Sequence, residues 1–312
     1  MSIKEISKRE LEARERISAL SDKEIDDLRD ELCDLVFAND FEKTINFLKD
    51  YPIKQSFYEL LCEEEGIKTP LFFCDNTLAN AAAGSIEQGK DTKLLDYLID
   101  ICGINPNFKF EHTKDNYNAL TFYMDQIGLD EKVIKYFIQK GATFNVFNHL
   151  GDSILHDWAI RGEIDEIKLA LKYGANLEIQ SQIYQKFNEK SKEYEEEFYF
   201  AGSTPLMSIV ESDDEQNYNT IKVLLELGAN PNHVRWPRLT SIIEVCQISK
   251  VKKILLEFGA KSQKKMENEI FKFQDEYIKN KGIKEEDLTR EDMMNIARII
   301  NDKFIKEIKN KS

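Results

Sequence analysis

Four histidines, five cysteines and many carboxylates are the side chains with which this chain could do chemistry. Of His112, His149, His156 and His233, His112 has no companion at the spacing of a metal-ligand phrase, and no HExxH pair occurs. Cys33, Cys62, Cys74, Cys102 and Cys246 are scattered and form no CxxC or CxH pair, so they signal neither a metal site nor a disulfide framework. They are expected to be reduced and mostly buried. The carboxylate runs Asp213-Asp214-Glu215 and Glu195-Glu196-Glu197 read as solvated faces, because no apolar pocket around them would shift their pKa values. No GxxxxGK[ST], GxGxxG or HExxH phrase occurs. The residues therefore predict no enzyme, no cofactor and no metal. One rival remains, a cryptic active site within residues 1–115 whose pocket would be lined by Cys62, Cys74, Asp75 and His112.

Composition narrows what is left. A formal charge of -14 opposes tight binding to nucleic acid, since phosphate contacts need clustered Lys and Arg to displace counterions. A basic or neutral protein surface is the better match. With 42% hydrophobic and 32% charged residues, the chain can bury a sizeable core and still present a wetted surface. MSIKEISKRELEARERI lacks the apolar run of a signal peptide, and no segment approaches a membrane span. The expected location is the cytoplasm, either of the cell that makes the protein or of a host cell into which it is delivered, with the chain monomeric when alone.

The elements that must position any functional residue come from an internal repeat. KGATFN from Lys140, YGANLE from Tyr173, LGANPN from Leu227 and FGAKSQ from Phe258 share one phrase. Gly141 and Gly174 stand 33 apart, Gly228 and Gly259 stand 31 apart, and the 54 from Gly174 to Gly228 is 33 plus an excess of 21. A weaker copy, CGINPN, puts Gly103 38 residues before Gly141. Each glycine follows an apolar helical run, where a helix end needs a left-handed residue without a Cβ penalty. About ten residues later a helix-opening phrase follows, in which Ser153 or Thr204 can cap the next helix and Pro205 suits its first turn.

This unit of turn, short helix, tight turn, longer helix and loop resembles the ankyrin repeat. Residues 148–180 match that pattern without gaps: Gly151, Ser153, Leu155 and His156 at its GxTPLH phrase, then Ala159, Gly162, Ile167, Leu169, Leu171 and Gly174-Ala175-Asn176. Gly202, Thr204, Pro205, Leu206 and Gly228-Ala229-Asn230 give a second copy, with Met207 in place of the family's His. The resemblance implies an all-α ankyrin-repeat solenoid of stacked helix-turn-helix units with helical N- and C-terminal caps. It divides the chain into a charged helical segment at 1–24, an array of five to six units at 25–263 with an insertion near 181–200, and a C-terminal helical cap at 264–312. In the cap, Thr289 and Asp292 make a capping-box phrase, and Met293, Ile296, Ile300, Phe304 and Ile308 recur at helical spacing.

The resemblance also implies function: a non-catalytic scaffold that binds another protein through its loop tips and concave first helices. His156 stands where the family has a histidine tying neighbouring loops, and Cys246 stands at a small buried helix position. Carried across, the partner-binding positions include His149, Leu150, Asp152, Asp157, Ile160, Arg161 and Gln180, then Ser203, Ser208, Glu211 and Ser212, and then His233, Val234, Arg235, Trp236, Leu239 and Glu244. Trp236 and Arg235 lead, being residue types enriched at interface hot spots and lying in a loop-tip stretch. The alternative is that Trp236 folds back onto a neighbouring loop. Trp158, replacing a small residue of the pattern, is expected to pack between repeats. In the insertion, Tyr184, Phe187, Tyr194 and Phe198 recur at helical spacing beside an acidic run, which predicts a helical hairpin. Tyr194, Glu195, Glu196, Glu197 and Tyr199 are then second-rank contacts, unless the insertion is simply tolerated. Two narrower roles fit the same surface: an acidic inhibitor or immunity-type protein neutralising a toxin or nuclease, and an effector engaging a host protein.

Overall fold

The computed structural model describes residues 12, 15–16, 19–51, 77–107, 118–148, 150–188, 193–197 and 201–310. Cys62, Cys74, Asp75, His112 and His149 lie outside the described residues, as does most of the charged segment 1–24. The chain forms two compact units, Met1–Glu111 with Asn116–Thr143 and His112–Asp115 with Phe144–Ser312.

In the first unit a capping box opens α1 (Asp22–Ala38). Ser21 Oγ accepts from Glu24 N–H at 3.3 Å, and Glu24 Oε2 accepts from Ser21 N–H at 2.8 Å. The helix ends at Asn39 in the left-handed conformation, and Asp40 caps α2 (Phe41–Asp50) by accepting from Lys43 N–H. α1 and α2 pack together as a helix pair. α1 also packs on α3 (Thr77–Ala82), which continues as a π-helical turn, Ala83–Glu87. The backbones touch there: a Cβ on Gly84 would lie 2.0 Å from the Phe37 carbonyl oxygen. α4 (Lys93–Asp96) continues through Tyr97–Ile101, and α5 (Ala119–Gln126) pairs with α6 (Glu131–Gln139). Leu32, Val36, Ala79, Leu95, Leu98, Leu120, Tyr123 and Phe137 are fully buried between these helices.

The second unit contains α7 (Ile154–Arg161), α8 (Ile164–Lys172), α9 (Pro205–Glu211), α10 (Tyr218–Glu226), α11 (Ile242–Val245) and α12 (Ser249–Glu257). The short first helices α7, α9 and α11 pack in a row, and α10 packs on α12. A single helix pair cannot bury its apolar stripe, so each borrows the next pair's face. Trp158 in the middle of α7 is the largest fully buried side chain, and Cys246 is buried at the end of α11.

The loop glycines behave as their position demands. Gly141, Gly174, Gly228 and Gly259 have φ of 89°, 93°, 96° and 92°, and the alanine after each donates its N–H five residues back, to Phe137, Ala170, Leu224 and Leu255. Beyond the glycine, an asparagine bridges to the next loop. In the first unit Asn107 Oδ1 accepts from Thr143 N–H at 2.9 Å and its Nδ2 donates to the Gly141 carbonyl at 2.7 Å. In the second, Asn232 does the same with Lys261 N–H (2.7 Å) and the Gly259 carbonyl (3.0 Å). The side-chain amide imitates a peptide group, so one asparagine satisfies a donor and an acceptor of a loop that has no sheet partner.

The insertion corrects one expectation. Residues 184–188 and 193–197 form not the expected helices but an antiparallel strand pair, β1 (Tyr184–Asn188) and β2 (Glu193–Glu197), with Phe187 opposite Tyr194 and Lys186 opposite Glu195. A second pair, β3 (Val234–Arg235) and β4 (Thr240–Ser241), opens the last repeat. After the array come α13 (Gln263–Lys281) and α14 (Arg290–Lys309); α14 is opened by the Thr289–Asp292 capping box. α14 packs on α13 and on β3, and buried Asn301 clasps the strand: its Oδ1 accepts from Val234 N–H and its Nδ2 donates to the Val234 carbonyl, both at 2.8 Å. Asn301→Ala is expected to cost about 2 kcal/mol in urea unfolding, because both Val234 groups lose their partner in a buried place. A cost under about 0.5 kcal/mol would mean that water replaces the clasp.

Candidate functional site

The loop from Asn148 to Ser153 is fixed from within. Asn148 Oδ1 accepts N–H bonds from Leu150 and Asp152, each 2.9 Å, while Asn148 N–H donates to the Asp152 carbonyl at 2.8 Å. It is then laced sideways to its neighbours. Gln182 N–H donates to the Gly151 carbonyl, Ser181 and Ser203 pair through both backbone and hydroxyl, and Gly202 N–H returns to the Ser181 carbonyl.

Two histidines complete the lacing. His156 Nδ1 accepts from Ser153 and its Nε2–H donates to the Ser203 carbonyl at 2.9 Å. His233 Nε2–H donates to the Gly202 carbonyl at 2.6 Å. Burial pushes both imidazoles down to about 4, so they are neutral at physiological pH. The loop-tying role expected of His156 is what the geometry shows. For His233 the expected exposure is corrected: it is 1% exposed and part of the same lacing.

Arg235 needs the same correction, and for Trp236 the alternative, folding back onto a neighbouring loop, is what the geometry shows. Arg235 is 8% exposed and makes a bidentate ion pair with Glu211 on α9, at 2.5 and 2.9 Å, with a further bond to Ser203 Oγ. Trp236 is 7% exposed and lies against Gly202: a Cβ there would stand 2.7 Å from indole Cδ1 and Nε1. Gly202 also has φ of 81°, so two independent demands keep that position a glycine. Val234 and Leu239 are buried as well, and Ser203 is fully enclosed. The loop tip of the last repeat is therefore interior, because α14 covers β3.

The positions that reach solvent belong to the preceding repeat and the turn after α9. Leu150 is 44% and Ile160 48% exposed, Arg161 is exposed, and Asp152, Asp157 and Gln180 are half-buried. Desolvation, reinforced by the nearby charge of Asp157, pushes the Asp152 carboxyl up to about 6. Ser212, Asp213, Asp214, Glu215 and Glu244 are exposed, with Ser208 and Glu211 intermediate. Tyr194, Glu195, Glu196 and Glu197 follow one another on β2, opposite Phe187, Lys186, Gln185 and Tyr184. The sequence reading missed the Arg235–Glu211 pair, separated by 24 residues, and the Asn301 clasp, separated by 67. Neither has a local signal; only the proline-flanked Trp-Arg dipeptide hinted at something unusual.

Among the described residues, no group of three His, Cys, Asp or Glu is placed to hold a metal ion, and no helix is long and apolar enough to cross a membrane. A family model of ankyrin repeats matches residues 126–235 in three copies. No curated protein matches the chain at a significant level. Ankyrin repeats generally mediate protein–protein interaction and typically serve as non-catalytic scaffolds. Shared loop glycines, first helices packed in a row and loops tied by histidine all agree with the family match, so residues 126–235 are ankyrin repeats and the fold is an all-α ankyrin solenoid.

Proposed function

We propose that this protein is a non-catalytic scaffold that holds a basic or neutral surface of another protein against the loop tip and first-helix face of residues 148–161 and the acidic turn at 212–215. The observation that carries the reading is the display of exposed apolar Leu150, on a loop fixed by Asn148 and by the histidine lacing, and Ile160, on the helix that follows it, together with the carboxylates Asp152 and Asp157. A surface already ordered before binding avoids most of the cost of immobilising side chains and loops. Its negative charge speeds encounter with a positive partner and disfavours nucleic acid. The strand pair of residues 184–188 and 193–197 lies between the laced residues Gln182 and Gly202, which supports reading Glu195, Glu196 and Glu197 as second-rank contacts. Inhibition of a basic toxin or nuclease and engagement of a host protein are two uses of this one surface; the identity of the captured partner separates them.

A photo-crosslinking residue at Ile160 is expected to capture a discrete partner, and the same residue at exposed Leu256 on α12 is expected to capture none. Reversing Asp157 and Glu215 together to lysine should slow association about tenfold at low salt. Equal capture from Leu256, or an adduct indifferent to the charge reversal, would remove this surface from consideration.

A further inference from the structure

The asparagine bridges between loops follow a rule that one joint breaks. Asn107 and Asn232 each stand four residues after a loop glycine, Gly103 and Gly228. Each accepts the N–H two residues after the next loop's glycine and donates to that glycine's carbonyl. Four residues after Gly174 the chain has Glu178 instead.

Half of the bridge survives this replacement. Glu178 Oε1 accepts from Asn230 N–H at 2.8 Å, and Asn230 is the counterpart of Thr143 and Lys261. The other half cannot form with an ionised carboxylate, since the counterpart of Gly141 and Gly259 is Gly228, whose carbonyl can only accept and so calls for a donor on the side chain that bridges to it. The second oxygen, Glu178 Oε2, is sealed from solvent without a hydrogen-bond partner. Gly228 and Glu178 line the same cleft of about 460 Å³.

We propose that Glu178 is a proton-gated joint between consecutive repeats: when protonated, its carboxyl O–H replaces the asparagine N–H and donates to the Gly228 carbonyl, and when ionised that half of the bridge opens. The proton comes from solvent and returns to it, and no covalent bond other than O–H changes. Burial pushes the Glu178 carboxyl up to about 7, against the pull of the Asn230 N–H, so the joint is poised at neutral pH. The charged and titratable groups that share the cleft are His233, Arg298 and Asp302. His233 stays neutral on the Gly202 carbonyl, while Arg298 and Asp302 are exposed on α14, Arg298 donating to Asn295, where solvent screens them. The joint links the loops that follow α8 and α10, at the base of the strand-pair insertion.

The sign is fixed by linkage. A carboxyl raised from its ordinary 4.5 to about 7 binds more protons folded than unfolded in between, so its contribution is full below 4.5 and disappears as pH rises through 7. Asp152 has the same sign but a lower window, ending at about 6. His156 and His233 have the opposite sign, losing stability as pH falls from 6.5 to about 4. Those groups are common to the wild type and Glu178→Gln, so the difference between the two proteins isolates Glu178. Glu178→Gln carries the N–H permanently at the same chain length. The wild-type unfolding equilibrium constant is expected to rise about tenfold more than that of Glu178→Gln between pH 6 and pH 8. In the wild type, the Glu178 carboxyl carbon followed by NMR should titrate with a midpoint near 7. A carboxyl that titrates in the ordinary carboxylate range overturns the proposal even if the variant fails to fold. So does a Gln variant that tracks the wild type across the interval.

Discussion

Replacing Trp158 by alanine is expected to lower the unfolding free energy by about 4 kcal/mol, the cost of emptying a fully enclosed aromatic site in a packed interior. Trp158 has no exposed surface and sits in the middle of α7, which packs on both α8 and α9. The cavity would open where two neighbouring pairs meet, and an eight-residue helix has little propensity of its own to keep it folded once that packing is gone. Urea unfolding followed by far-ultraviolet circular dichroism measures the loss. Ile160→Ala, two residues along the same helix and 48% exposed, is the control and should change stability by no more than about 0.5 kcal/mol. A Trp158 variant losing less than about 1 kcal/mol would show that α7 closes over the gap, and the packing argument would fail with it.

Trp236→Ala should cost about 3 kcal/mol, and the way it does so separates two roles for the residue. An interface tryptophan loses partner affinity when truncated while the free protein stays stable. A structural one does the reverse. The indole lies on Gly202, which is in turn bonded to Ser181 and to His233, so its removal should loosen the lacing that supports the 148–153 loop. At about 10 °C, where a variant weakened by some 3 kcal/mol remains folded, cross-linking from position 160 should persist. Loss of the adduct at that temperature, with the circular dichroism of the native state intact, would return Trp236 to the interface.

What could be read in the sequence was what repeats. The loop glycines, the capping residues Ser153, Thr204 and Thr289 and the loop-tying His156 act through contacts within a few residues or at the repeat period, so their spacing carries their role. Trp236 and Arg235 were legible as unusual, but the sequence leaves open whether Trp236 faces a partner or folds back, and the burial of Arg235 was not legible. β3 packs on α14, more than fifty residues on and outside the repeat phrase, the indole lies on Gly202, and the carboxylate that neutralises Arg235 lies on a different helix. The insertion misled for another reason. Aromatics at 184 and 187 satisfy a helical spacing as well as they satisfy a strand, and only the cross-strand partners, Tyr194 for Phe187 and Glu195 for Lys186, decide between them. Glu178 was not legible because the position four residues after each glycine does its work through a bond to the next loop, which the repeated phrase itself does not show.

The clasp of Asn301 on Val234 has a consequence for assembly. Modules with similar faces can in principle add without limit, one molecule docking on the last repeat of another as the repeats dock within a chain. Any strand still offering its N–H and C=O groups invites such addition. A side-chain amide that occupies both groups of Val234 withdraws that invitation, so in the language of polymerisation α14 acts as a chain stopper.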